Sequence, residues 1–369
     1  MRPAFSSTRQ AAAFAVLMLV VLLSPVLAGK KFLPAREENY TVQGWSTGAY
    51  PWIRNQIFEE TNAIDIAFVG SSHLFNDIDT PYVQAKLGEK LGRPAVVRTI
   101  AWGGAGYDGL YLVVRDLLAH RRVGLLVFYD ENPVGGNRNN ETRALFRFGD
   151  DAPLLAGLPF SEQAVFYCAA LMGMPRNLLS LVRNNLPAPL ISSTKNYWEL
   201  VGGGPNPVSV LGCLYYEKGF GLKPPEDATP FVKCEPVTAA TPADALVFSP
   251  GTATNFEFST NPLPAWQSHF TEKLAELLRK NHQPSVMLHL PVLAEVRAPV
   301  LEERANWPAI FGGGFNLLGI VPARMFGGLP DDEVRKLFGD PGHLNRNGQK
   351  YFTRLVTPAL MDLADRRAQ

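Results

Sequence analysis

Five stretches of the chain are apolar almost without a break: "AIDIAFVG" from Ala63, "AVVRTIAW" from Ala95, "VGLLVFYD" from Val123, "SVMLHLPV" from Ser285 and a weaker "FNLLGIV" from Phe315. A strand with one wet face alternates apolar and polar residues, whereas a strand covered on both faces is apolar throughout, as in parallel sheets. Between the first three runs, "TPYVQAKLGEKLG" and "GLYLVVRDLLAHRR" place apolar residues at helical spacing, and "PAWQSHFTEKLAELLRKNHQ" does so before the fourth. Strand, helix and strand in alternation predict right-handed βαβ units and a three-layer α/β/α domain. The rhythm breaks from about 137 to 262. There "GGNRNN", "VGGGPNPV" and "KPPEDATP" are turn-rich connectors around one helix pair, "SEQAVFYCAALMGM" and "NLLSLVRNN". This interval is expected to be an insertion carried on the core domain.

The first 31 residues follow another pattern. Arg2 and Arg9 precede "AVLMLVVLLSPVLA", and no charge occurs from Gln10 to Gly29. At about 1.5 Å per helical residue that length matches the roughly 30 Å of a bilayer's hydrocarbon. The segment is expected to be an export signal. Val26 and Ala28 fit the small residues before a cleavage site, while the long apolar run fits an uncleaved anchor, so both remain open. Either way residues 32–369 are expected outside the cytoplasmic membrane, in the periplasm or beyond the cell.

Composition adds two limits. With 35 basic and 34 acidic residues the net charge is +1, so no overall field draws in nucleic acid. Of the three cysteines, Cys213 and Cys234 bracket an aperiodic segment and are expected to pair in an oxidising compartment, whereas Cys168 lies in an apolar helical stretch and is expected to act as a small hydrophobe. No metal-type spacing occurs, and no cofactor is implied.

In an open parallel sheet, reactive groups collect outside the carboxyl ends of the strands. The first run ends in Gly70-Ser71-Ser72-His73, the second in Trp102-Gly103-Gly104-Ala105-Gly106, and the third in Asp130-Glu131-Asn132-Pro133. Near the C terminus "GDPGHLNRNGQKYF" sets Asp340 and His343 three positions apart. Singly each is an ordinary turn. Together they supply what acyl transfer needs: a hydroxyl nucleophile, a base, a carboxylate to orient the base, and donors for the oxyanion. His73 is expected to be structural or substrate-facing and His289 a satisfied core histidine. Trp102, Tyr107, Tyr215, Tyr216 and Phe220 are candidates for a sugar platform.

With these blocks the chain resembles the SGNH/GDSL hydrolase superfamily. "FVGSSH" puts Ser72 at the nucleophile position, "TIAWGGAG" puts Gly104 at the oxyanion glycine, "DENP" puts Asn132 at the side-chain donor, and Asp340, His343, Leu344, Asn345 and Gly348 match the last block. Thr99 and Pro133 depart from the pattern, standing where the superfamily has Asn and Asp. The resemblance implies a flavodoxin-like parallel sheet of about five strands. It also implies a Ser72, His343, Asp340 triad, with the amides of Ser72 and Gly104 and the side chain of Asn132 forming the oxyanion hole. The implied activity is ester hydrolysis on acylated glycans. An O-acetyltransferase modifying an exopolysaccharide or cell-wall glycan, and an inactive glycan-binding module, are the alternatives.

Overall fold

A computed structural model of the chain describes residues 5–28, 35–40, 49–102, 106–130, 142–147, 150–168, 246–250, 255–312 and 315–365. They fall into two units: the first draws on Met1–Gln43 and Asn140–Ile191, the second on Gly44–Asn139 and Ser192–Gln369.

In the second unit each predicted apolar run is a strand: β1 Ile64–Gly70, β2 Val97–Ala101, β3 Val123–Tyr129, β6 Ser285–Leu288 and β8 Asn316–Ile320. They lie parallel in the order β2-β1-β3-β6-β8. A sixth strand, β4 Leu246–Pro250, adds antiparallel to β8 at the edge. It comes from the interval expected to hold only connectors and helices. Its five residues give too short a run for a period-2 signal to stand out. Two short strands, β5 Phe256–Phe258 and β7 Leu301–Glu303, pair separately.

The helices expected between the strands form too, while "NLLSLVRNN" of the expected helix pair lies outside the described residues. Helix α4, Thr80–Leu91, follows the short helix α3, Ser72–Asp77; Asp79 caps α4 by accepting the Tyr82 N–H at 3.2 Å, and Gly92 ends it in the left-handed region at φ 63°. Helices α5, Tyr107–His120, and α7, Ala265–Lys280, pack on each other, with Tyr111 and Phe270 at 5.9 Å and the Tyr107 N–H donating to Gln267 Oε1 at 2.9 Å. Helix α11, Arg346–Asp365, closes the chain.

Successive strand residues point to opposite faces. Ile66, Phe68, Leu125, Val127, Val286, Leu288 and Leu318 bury against Val83 and Leu87 of α4 and Phe352, Val356 and Leu360 of α11. Their neighbours Ala67, Val69, Leu126, Phe128, Met287 and Leu317 are equally buried. At about 1.5–3 kcal/mol for each large apolar side chain, burial on both faces is a main source of the sheet's stability. The outcome is an α/β fold consistent with three layers.

The first unit includes α1, Thr8–Ala28, and the short helix α6, Thr142–Leu145. On α1 Phe14, Val16, Leu17, Leu19, Val20 and Val21 are exposed. Among the described residues no helix is long and apolar enough to cross a membrane. Arg36 joins the two parts of this unit, bonding the Leu145 carbonyl at 2.7 Å and Asp151 at 2.6 Å. Residues 160–168 are helical; Phe166 turns inward onto Phe146. Cys168, two residues on and so on the other side of the helix, is exposed and a free thiol, which corrects the expectation of a buried small hydrophobe. Cys213 and Cys234 lie outside the described residues.

Candidate active site

Strand β1 is hydrogen-bonded on both sides, to β2 and β3, so its carboxyl end is held firmly where Ser71 and Ser72 emerge. The Trp102 N–H extends the ladder to the Gly70 carbonyl at 3.1 Å. Ser72 opens α3, so its backbone N–H has no acceptor inside the helix. Its hydroxyl lies 3.0 Å from His343 Nε2. His343 Nδ1 meets Asp340 Oδ2 at 2.9 Å and Oδ1 at 3.0 Å. An ionised carboxylate only accepts, so Nδ1 carries the proton and Nε2 turns its lone pair to the hydroxyl.

The segment bearing the base folds for reasons that can be assigned residue by residue. Asp340 Oδ1 accepts the N–H groups of Gly342 at 2.7 Å and His343 at 2.8 Å, a local turn that brings the carboxylate beneath the imidazole. The Leu344 N–H donates to Asp77 Oδ1 at 2.8 Å, tying the segment to the helix that bears Ser72. Asn345 donates to the Lys336 carbonyl at 2.6 Å and accepts from the N–H groups of Asn347 and Gly348, starting α11. Gly348 packs so closely that a Cβ there would sit 2.0 Å from the Leu337 carbonyl oxygen. The run of Asp, His, Asn and Gly is thus one compact turn.

Three expected residues, Ser72, His343 and Asp340, are therefore brought together. Gly104 and Asn132, assigned to the oxyanion, lie outside the described residues, as do Tyr215, Tyr216 and Phe220. Trp102 and Tyr107 are fully buried, and Tyr107 donates to Asp130 at 3.2 Å; both are packing residues and cannot form an exposed sugar platform. Thr99 is buried with its hydroxyl 2.8 Å from that of Thr80, a structural link between β2 and α4.

His73 is a neighbour of the base in space as well as in sequence. Its ring stacks on His343 at 4.2 Å and 24° and packs against Tyr129 at 4.7 Å on its other contact. Burial pushes His73 down to about 4, with Asp340 opposing and Arg304 reinforcing the shift. Asp77, fully buried, is pushed well above the usual carboxylate range by the same desolvation. Its Oδ2 comes to 3.4 Å from His73 Nδ1, yet neither atom has a hydrogen-bond partner. Desolvation moves both groups toward their neutral forms, so it weakens any ion pair between them.

A second polar cluster was not legible in the sequence. His289, just past β6, is buried, with Nδ1 at 3.0 Å from Glu303 and Nε2 at 3.1 Å from Glu295. Burial pulls it down, but hydrogen bonds to both glutamates and their charges prevail and raise it to about 10. Glu303 also accepts the Trp307 N–H at 2.8 Å. Asp130, at the end of β3, is pushed well above its usual range by burial and then by the charge of Glu303, while the Arg304 backbone N–H at 2.8 Å opposes the shift. The histidine is satisfied, as expected, but by ions and not by an apolar core. Glu295 and Glu303 lie in "VLAEVRAPVLEERANW", which has neither motif nor period to mark them. The turn containing Glu295 also braces the base: the Leu293 N–H donates to the Pro341 carbonyl at 3.0 Å.

A cavity of about 370 Å³, lined by Arg279, His282, Phe311 and Asn316 among others, opens at the other, amino-terminal end of β6 and β8 and does not touch Ser72. Among the described residues no group of three or more His, Cys, Asp or Glu could hold a metal ion. Against models of known protein families the chain has no match, and no curated protein matches its sequence.

Proposed function

We propose that the chain is a serine-dependent carboxylic-ester hydrolase of the SGNH type, acting on acyl esters of a glycan outside the cytoplasmic membrane. The observation that carries the chemistry is the unbroken line Ser72 Oγ, His343 Nε2, His343 Nδ1, Asp340 at 3.0 and 2.9 Å. Contacts of that length suffice for proton transfer. As the Ser72 oxygen bonds to the ester carbonyl carbon, its proton passes to Nε2. Asp340 stabilises the resulting imidazolium. The carbonyl π bond re-forms, the ester C–O bond breaks, and the leaving alcohol takes the proton from Nε2. Water then repeats the sequence on acyl-Ser72, giving carboxylic acid and free enzyme.

The backbone N–H of Ser72 would meet the oxyanion, with Gly104 and Asn132 proposed as its companions. Loss of one such donor typically costs on the order of 10²-fold in rate. The glycan and the location rest on the uncharged N-terminal run and the resemblance of the sequence blocks. The test is labelling by a fluorophosphonate, followed by a small acetyl ester offered with and without an oligosaccharide. Labelling is expected in the parent and lost in Ser72→Ala, with free acetate as the main product. Equal labelling of Ser72→Ala would overturn the nucleophile. Acetylated sugar in excess of acetate would replace hydrolysis by transfer.

A further inference from the structure

The short helix α3 carries more than Ser72. One residue on, His73 lays its ring against the base, and one turn further Asp77 holds the Leu344 N–H beside it. An ordinary packing residue would fill this slot with an apolar side chain. Instead a titratable ring lies there, with 17% of its side chain exposed. We propose that His73 is a positioning residue for the base, offering the π face of a neutral imidazole to His343 and favouring the imidazolium that forms when Ser72 gives up its proton. The proposal rests on the reading of Ser72, His343 and Asp340 as the reacting set.

Three observations carry it. The rings are nearly parallel at 24° with centroids 4.2 Å apart, inside the roughly 6 Å over which a cation is attracted to a ring face. Tyr129, at the end of β3, packs on His73 at 4.7 Å and prevents it from swinging away. The Leu344 N–H, donating to Asp77 Oδ1 at 2.8 Å, ties the segment that bears His343 to the helix that bears His73 and so holds the two rings together. A neutral ring is required, because a protonated His73 would repel the imidazolium. The groups around it keep it so. Burial moves Asp77 on its own helix toward its neutral form, and the charges of Asp340, Glu295 and Arg304 act on His73 in opposing senses. Burial is the largest influence.

The experiment compares His73→Phe with His73→Leu in the full chain. Both fill the slot with an apolar side chain, and only Phe keeps a π face. Fluorophosphonate labelling is followed across pH, and the ring protons of His343, assigned through His343→Asn, are followed by NMR. His73→Leu is expected to label about tenfold more slowly near neutral pH, to shift the acid limb of the profile about one unit lower, and to lose the ring-current shift at His343. His73→Phe is expected to stay within about threefold of the parent and to keep that shift. Equal slowing in both variants would transfer the role to the ring nitrogens and overturn the proposal, and so would a Leu variant with the parent's profile. Should the parent fail to label, the nucleophile reading falls. The NMR arm still decides the stack, since an unchanged His343 pH response in His73→Leu would overturn it.

Discussion

His73 and His289 follow two strands of one sheet, the first with 17% of its side chain exposed and the second with 6%, and desolvation pulls both toward the neutral form. They end at opposite extremes, about 4 and about 10. The difference lies in what faces the ring nitrogens. His289 has a carboxylate on each side, at 3.0 and 3.1 Å, and one of them is fixed in turn by the Trp307 N–H. His73 faces Asp77 alone, at 3.4 Å without a hydrogen bond, and that acid is too buried to ionise readily. Charge-assisted hydrogen bonds contribute about 1.5–3 kcal/mol each, and two of them outweigh a desolvation that one long contact does not. The His289 site braces the fold around His343 through the Leu293 to Pro341 hydrogen bond, and the His73 ring stacks on His343 itself.

The comparison breaks most directly at Glu303. In Glu303→Gln one of the two oxygens becomes an amide nitrogen, so a donor must face either the His289 or the Trp307 N–H, and a buried imidazolium loses half of its compensation. A loss of about 3–5 kcal/mol in unfolding free energy is expected, read by urea denaturation. A loss below about 1 kcal/mol would mean that His289 is not held as a cation.

The pH dependence of stability sharpens the same contrast. His289 is raised in the fold, so its contribution is complete below the unfolded value of 6.5 and disappears as pH climbs to about 10. Asp77 and Asp130, also raised, act in the same direction once pH exceeds 3.8. His73 is lowered, so its contribution is present above 6.5 and is lost as pH falls toward about 4. On the alkaline side the loss of the His289 contribution is expected to cost up to about 4 kcal/mol; between about pH 4 and 6.5 Asp77 and Asp130 oppose His73, whose own part, about 2–3 kcal/mol, is read as the difference between the parent and His73→Phe. Denaturation midpoints across pH separate the contributions: Glu303→Gln should reduce the alkaline loss, and His73→Phe should remove the part of the acid-side change that belongs to His73.

How much of this was legible in the sequence depends on the scale of the signal. Each of the five parallel strands holds at least four buried residues, and burial on both faces writes itself into composition. Asp340 and His343 were legible because the turn that joins them is local, three residues long and paid out in backbone hydrogen bonds. The acidic cluster was not, because His289, Glu295 and Glu303 are six and eight residues apart with no regular spacing, and Asp130 joins them only when β3, β6 and β7 are in place. The stack of His73 on His343 brings together residues 270 positions apart and leaves no trace in either neighbourhood. Strand β4 was hidden by its surroundings, an antiparallel edge inside a Gly- and Pro-rich interval.

The smallest effect is expected at Gly342, between the two partners of the stack. Its backbone lies outside the left-handed region that favours glycine, and an added Cβ would meet only Asp340 Oδ1 and His73 Cε1, each at 3.6 Å, an ordinary van der Waals distance. The N–H that Asp340 accepts is unchanged by the substitution. Alanine also restricts the unfolded chain, which is worth about 0.4–1 kcal/mol where the native backbone tolerates it. Gly342→Ala is therefore expected to leave stability unchanged or raised by less than about 1 kcal/mol, by the same urea measurement, with the acid limb of the stability profile intact. A clear destabilisation would show that the space beside His73 is tighter than 3.6 Å. The ring would then be clamped by backbone as well as by Tyr129, and the weight of the comparison would move from the acceptors of the two histidines to the packing around one of them.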